Sequence, residues 1–268
     1  MATLGKRAKQ RQRNELIQGA SILLTVLAVI AGATYYTMNR PQPLNALTLC
    51  PSDGPRGHYV LLVDKTDPLN FTQKEAFSVI IKELIERNVP EGYLLSVFAL
   101  GEDFTENATP LVELCNPGDG TGKSEFTANL THLKNQYQSK FAAPMLGLSD
   151  SLVATQPAKW SPIFEMLQLV GLNGYRKHGV KGERRLIIMS DMLQNTPQFS
   201  MYKGPVEYST FAASDYGKKA QPELYGVSVE LHYLMNSPQL QTKRNLKFWE
   251  DYFAKAGARI VAVRPMEG

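Results

Sequence analysis

From Leu16 to Thr37 the sequence reads LIQGASILLTVLAVIAGATYYT, without one charged side chain. A hydrocarbon core roughly 30 Å thick is crossed by about 20 consecutive apolar residues wound as a helix, so the stretch predicts a transmembrane helix over 16–38. Tyr35 and Tyr36 stand where an interfacial aromatic belt is expected, and Arg40 closes the segment. A buried helix of a water-soluble domain would need polar faces that this one lacks. A cleaved signal peptide is the rival, with Ala31-Gly32-Ala33 as its small-residue cleavage site. The apolar stretch exceeds a usual signal core, which favours a retained anchor.

Lys6, Arg7, Lys9, Arg11 and Arg13 precede the span against Glu15 alone. This tail, residues 1–15, accounts for the whole formal net charge of +4, so the rest of the chain is neutral. A cationic flank predicts that the tail stays in the cytoplasm and that the body lies across the membrane. A neutral body offers no electrostatic footprint for nucleic acid. With no eukaryotic feature in view, the expected location is a bacterial inner membrane with the main domain in the periplasm.

Residues 39–56 are rich in proline and turn-formers and read as a linker. Strand and helix patterns alternate from 57 to 268. His58 to Val63 is a nearly continuous apolar run, as suits a strand buried on both faces of a parallel sheet. A helix follows over about 72–87, with Thr72 and Glu75 as a capping box. Further strands are expected at 93–100, 109–115, 185–190, 227–235 and 259–263, and further helices at about 125–140, 161–176 and 239–256. The alternation predicts an α/β three-layer sandwich with a mostly parallel central sheet of Rossmann-like topology, preceded by one transmembrane helix. Residues 192–222 read as a long polar loop, and such loops are often functional.

Ligand sites in open α/β sheets collect at the carboxyl ends of strands. Asp64-Lys65-Thr66-Asp67-Pro68 follows the first strand, Trp160-Ser161-Pro162 opens a helix, and Asp191 closes the strand RLIIMS. Ser161 suits an N-cap and Pro162 the first helical position. Together these residues resemble the von Willebrand factor A-type (VWA) domain and its metal-ion-dependent adhesion site. That family carries Asp-x-Ser-x-Ser after strand one, a Thr in a later loop and an Asp after the fourth strand. Asp64 matches the first Asp, Thr66 the first hydroxyl, Ser161 the loop Thr and Asp191 the late Asp. Pro68 replaces the second hydroxyl, which Asp67 or a water would have to supply, so the site is degenerate.

The resemblance implies a protein-binding or assembly module of an envelope complex, gripping an acidic partner residue through Mg²⁺ or Mn²⁺ held by Asp64, Thr66, Ser161 and Asp191. One or two carboxylates and a few hydroxyls suffice for such an ion, which retains several waters. The resemblance also implies that the third strand is an antiparallel edge strand. Cys115 then reaches the sheet end where Cys50 lies, and a Cys50–Cys115 disulfide becomes feasible in an oxidising compartment. The structural alternative leaves Asp64, Thr66, Ser161 and Asp191 as loop and helix caps that hold no metal.

An enzyme is the other alternative, with Asp64, Asp67 and Asp191 holding Mg²⁺ for phosphoester hydrolysis. Against it, Thr66 stands where the haloacid-dehalogenase pattern puts its second Asp, and no nucleophile, general base or phosphate clamp stands out, so the chain reads as non-enzymatic. Gly122-Lys123-Ser124 ends like a phosphate-binding loop, but Pro117 occupies the position of its first Gly. His58, His132, His178 and His232 lack metal-ligand spacing and read as structural or surface residues. Phe248, Trp249, Tyr252 and Phe253 read as core packing, with a partner surface as the alternative.

Overall fold

The apolar run predicted as the first strand is β1 (Gly57–Asp64), buried along its whole length. The protein is seen here as a computed structural model that describes residues 2–38, 43–125, 128–154 and 157–267. The predicted closing role of Arg40 and the start of the linker, residues 39–42, lie outside the described residues.

The chain divides into two units, Met1–Pro43 and Leu44–Gly268. The first is the helix α1 (Ala2–Met38), and its apolar side chains from Leu16 to Tyr36 are exposed. It is the one helix among the described residues long and apolar enough to cross a membrane. It starts well before Leu16 because Ala, Leu, Lys, Arg and Gln are all good helix formers, so the basic tail winds into the same helix.

In the second unit, α2 (Phe71–Glu83) follows β1 and ends in a wide π turn, Leu84–Asn88. Next come β2 (Tyr93–Leu100), β3 (Val112–Cys115), α3 (Leu130–Tyr137), and the short helices α4 (Ala143–Gly147) and α5 (Ser149–Val153). After them α6 (Ile163–Leu169) runs into a π turn, Val170–Arg176, and leads to β4 (Arg184–Ser190). The short helices α7 (Tyr208–Ala213) and α8 (Asp215–Lys219) precede β5 (Val227–Leu234), α9 (Lys243–Lys255) and β6 (Arg259–Met266). The six strands form one sheet in the order β3-β2-β1-β4-β5-β6. All pairings are parallel except β2 with β3. This is the expected α/β sandwich, with its antiparallel edge strand.

Alternate side chains of each central strand enter opposite cores. Val60, Leu62, Leu186, Ile188, Val229 and Leu231 meet α6 and α9 on one face. Tyr59, Leu61, Val63, Ile187 and Met189 meet α2 and α3 on the other. Phe248, Trp249, Tyr252 and Phe253 are all buried, as core packing requires. Trp249 Nε1 donates to the Met192 carbonyl at 2.8 Å, and Tyr252 Oη to that of Ala220 at 2.7 Å. Both rings thus bury their area without stranding their polar tips.

Several expectations are corrected. Thr72 and Glu75 do not form the capping box of α2; Asn70 and Gln73 do, with the Gln73 N–H donating to Asn70 Oδ1 at 2.9 Å. Asn is a strong N-cap, and the cap lies at Asn70, two residues before Thr72. Ser161 does not cap α6: Pro162 holds the N-cap position, and the Phe164 N–H donates instead to Gln194 Oε1 at 2.9 Å. Residues 192–222 are not an irregular loop. They contain the turn Met201–Lys203, α7 and α8, and they insert Phe211 against Phe164 with ring centroids 4.7 Å apart. The aromatic core pulls this polar-looking segment inward.

His58 and His178 are drawn together at the end of the sheet opposite Asp64. His58 Nε2 lies 2.8 Å from Ser96 Oγ, and Glu113 pairs with His178 and Lys177. Burial, with His178 and Lys177 nearby, lowers His58 to about 3, so it is neutral at ordinary pH. Burial opposes ionisation of Glu113, yet hydrogen bonds from His178 and Lys177 outweigh it and bring the carboxyl to about 2. These are structural roles.

Cys50 and Cys115 form a disulfide across 65 residues of chain. It ties the segment before β1 to the edge strand, where the Cys115 N–H also donates to the Thr48 carbonyl at 2.8 Å. Closing a loop of that length restricts the unfolded chain by about 4 kcal/mol in the chain-entropy treatment. Urea unfolding of the C50S/C115S double variant should show a stability loss of that order, and a loss below about 1 kcal/mol would mean that edge packing alone secures β3.

Candidate functional site

β1 and β4 are in register from His58–Arg184 to Val63–Met189, so their last residues, Asp64 and Ser190, leave the sheet side by side. Asp64 is 3% exposed. Its Oδ1 accepts from the Thr66 N–H at 3.0 Å and from Thr66 Oγ1 at 2.6 Å, and its Oδ2 accepts from Ser190 Oγ at 2.7 Å. The first pair is an Asp side chain imitating a backbone turn. Asp64 therefore orders its own loop and staples it to β4.

Asp191 is 2% exposed. Its Oδ1 accepts from the Leu193 N–H at 2.9 Å, its Oδ2 from Tyr202 Oη at 3.3 Å, and its carbonyl from Gln241 Nε2 at 3.0 Å. The next residue, Met192, has a φ of 54°, unusual for a bulky side chain. Three contacts hold it there: its N–H donates to Ser190 Oγ at 2.9 Å, its carbonyl accepts from Trp249, and its side chain is buried. The left-handed turn lets the chain bend sharply behind the carboxylate, and such conformations persist where the surroundings over-determine them.

The loop of Ser161 is tied to both of the others. The Ala158 N–H donates to the Thr66 carbonyl at 2.9 Å, while Ser161 and Asn195 exchange two backbone hydrogen bonds at 2.8 and 3.0 Å. The three sequence-predicted segments thus converge at one tip of the sheet. Ser161 Oγ is buried there with no hydrogen-bond partner. An orphaned buried hydroxyl costs roughly 1–3 kcal/mol, and such groups are rare.

Burial raises Asp64, only partly offset by its bonds from Thr66 and Ser190, and Asp67 adds repulsion. Asp191 lies well above the usual carboxylate range, chiefly through burial and then through the nearby charge of Asp64; Asp67 contributes both charge and a side-chain hydrogen bond. Tyr202 is pushed upward by burial and by Asp191. Asp67 is half-buried and Pro68 exposed. Two carboxylates close together in a dry place resist double ionisation. All the oxygens present are hard donors; among the described residues no group of three or more His, Cys, Asp or Glu side chains is set to hold a metal.

Ser190, Tyr202, Gln241 and Gln194 belong to this tip and were not anticipated. Ser190 had a signal, as the polar residue that ends RLIIMS directly before Asp191. Tyr202, Gln194 and Gln241 had none, because only the fold brings them to Asp191 or to the start of α6.

The strand order, the antiparallel edge strand and the tip placement of Asp64 and Asp191 define a VWA-like α/β fold. Comparison with solved structures returns domains of this kind. The VWA domain of SpRpn10 is 7% identical, with a TM-score of 0.40 over 80% of this chain and 88% of that one. An aerotolerance-related membrane protein from Bacteroides fragilis NCTC 9343, with multiple mutations to serines, is 13% identical, with a TM-score of 0.34 over 79% of this chain and 91% of that one. The manganese-loaded TRAP protein of Plasmodium vivax is 14% identical, with a TM-score of 0.31 over 66% of this chain and 57% of that one. No family model matches the chain, and no curated protein does. The fold reading rests on strand order and register.

The raised carboxyl of Asp191 has a testable sign. The folded state holds its proton at pH values where the unfolded state has released it, so stability falls as pH rises from the ordinary carboxylate range towards the raised value. In EDTA, D191N should therefore melt at a higher temperature than the unaltered protein at pH 8 and lose that advantage near pH 4. Parallel melting curves across this range would refute the buried-acid reading.

Proposed function

We propose that this chain is a membrane-anchored VWA-like protein-binding module of a bacterial envelope complex, and that the tip of its sheet grips an acidic residue of a partner protein through Mg²⁺ or Mn²⁺. The observation that carries the reading is the tip itself: two buried, mutually repelling carboxylates beside a buried hydroxyl that has no partner. Asp64, Asp191, Thr66 and Ser161 would hold the ion, with Asp67 in place of the hydroxyl that Pro68 lacks. Thr66 Oγ1 spends its proton on Asp64 and keeps its lone pairs free. When bound, such an ion supplies positive charge and an open coordination position for a partner carboxylate. Ser190 and Gln241 orient the two acidic residues, and Tyr202 covers Asp191 from the solvent side.

The charge-free segment of α1 and the disulfide support the placement. The span suits a membrane anchor, the cationic tail suits a cytoplasmic N-terminus, and a disulfide persists in an oxidising compartment such as the periplasm.

Thermal unfolding of the full-length protein in detergent tests the site. An ion bound only to the folded state at a hundred times its dissociation constant stabilises by roughly 2.7 kcal/mol. For a domain of this size that is a rise of roughly 5–10 °C. Millimolar Mg²⁺ or Mn²⁺ should give such a rise over EDTA at pH 8. The increment should vanish in D64A, shrink in S161A and grow in P68S, which restores a hydroxyl. Because ion binding displaces protons from these raised carboxyls, the increment should also shrink at pH 5. Equal melting with and without the ions would leave the tip a structural staple.

A further inference from the structure

A cavity of about 500 Å³ lies between the segment after the Met201–Lys203 turn and the start of α9. That volume is within the range of ligand-binding clefts, roughly 300–1,000 Å³. Met201, Val206, Leu240 and Phe248 give it apolar walls, and Lys243 and Arg244 stand among its lining. No carboxylate lines it. Arg244 reaches outward to Glu207 at 3.4 Å, while Lys243 has no acidic partner among the described residues. A pocket with an apolar lining and two cations selects an occupant with an apolar body and a negative end.

The cavity is joined to the acidic tip through its own walls. Met201 precedes Tyr202, which donates to Asp191 Oδ2, and Leu240 precedes Gln241, which donates to the Asp191 carbonyl. An occupant pressing on Met201 or Leu240 therefore acts on residues that orient Asp191.

We propose that this cavity is a second docking point for a protein partner, taking an apolar side chain from an extended segment together with an adjacent Asp or Glu that pairs with Lys243 and Arg244. A small inorganic anion would use the cations but leave the apolar walls wet, and a purely apolar segment would leave Lys243 without a counter-charge, so the lining as a whole favours an acidic–apolar segment. The proposal stands apart from ion binding at the tip, because none of the lining residues is one of the proposed metal ligands.

The test is selection of a phage-displayed random hexapeptide library on the full-length protein in nanodiscs, in the presence of EDTA. The expected result is a consensus with Asp or Glu beside Leu, Ile, Met or Phe. A synthetic peptide of that consensus should bind at least tenfold more weakly to K243E/R244E, and about equally to the unaltered protein and D64A. Lys243 and Arg244 are exposed, so the charge-reversed protein should keep its melting temperature. A consensus without an acid, binding indifferent to K243E/R244E, or binding lost in D64A would each overturn the assignment. So would the absence of any consensus, including the case in which inorganic phosphate alone raises the melting temperature in a Lys243-dependent way, which would make the cavity a small-anion site.

Discussion

Asp64 sits where a strand buried on both faces must leave the sheet, and the surrounding tip is built around that constraint. β1 has β2 and β4 as neighbours and a separate core against each face. Its carboxyl end therefore emerges into protein rather than water. A carboxylate there needs hydrogen bonds in place of lost hydration. Thr66 and Ser190 supply them, which at once shapes the loop after β1 and staples β1 to β4. The same dryness acts on Asp191, whose position beside Asp64 sets the two negative charges against each other.

Much of the remaining molecule supports this pair from a distance. Trp249 on α9 holds the carbonyl of Met192, and Gln241 from the preceding turn holds that of Asp191. Gln194 reaches back to the start of α6, and so links the loop after β4 to the segment that carries Ser161. The carboxylates of the tip are thus held by hydrogen bonds from several elements, while the cation-lined cavity adjoins the tip through Met201 and Leu240.

How much could be read beforehand differs from element to element. Asp64, Thr66, Ser161 and Asp191 were legible because each sits at the end of a strand or the start of a helix, and those boundaries show in apolar runs and turn residues. The Cys50–Cys115 pairing came within reach through the VWA resemblance, which implies that β3 is an antiparallel edge strand. The capping of α2 and α6 was misplaced because other groups take the helix starts: Asn70 displaces Thr72, and Gln194, thirty residues along the chain from Phe164, accepts its N–H in place of Ser161. The segment 192–222 misled for a related reason. Its polar composition suggested a solvated loop, yet Met201, Phe211 and Ala220 are each drawn into the aromatic core around Phe164.

The sequence alone determined the helical, charge-free span, the alternating α/β order and the identity of the residues at the strand tips. Each of these depends on neighbours along the chain: an uncharged stretch of sufficient length, an apolar period, a turn signal. Only the tertiary structure decided which groups Asp64 and Asp191 would meet, that the Ser161 hydroxyl would be left without a partner, and that Lys243 and Arg244 would stand beside apolar walls. Those outcomes depend on residues far apart in sequence being packed into low-dielectric surroundings, where burial and mutual charge, and not residue type, set the chemistry of a carboxylate.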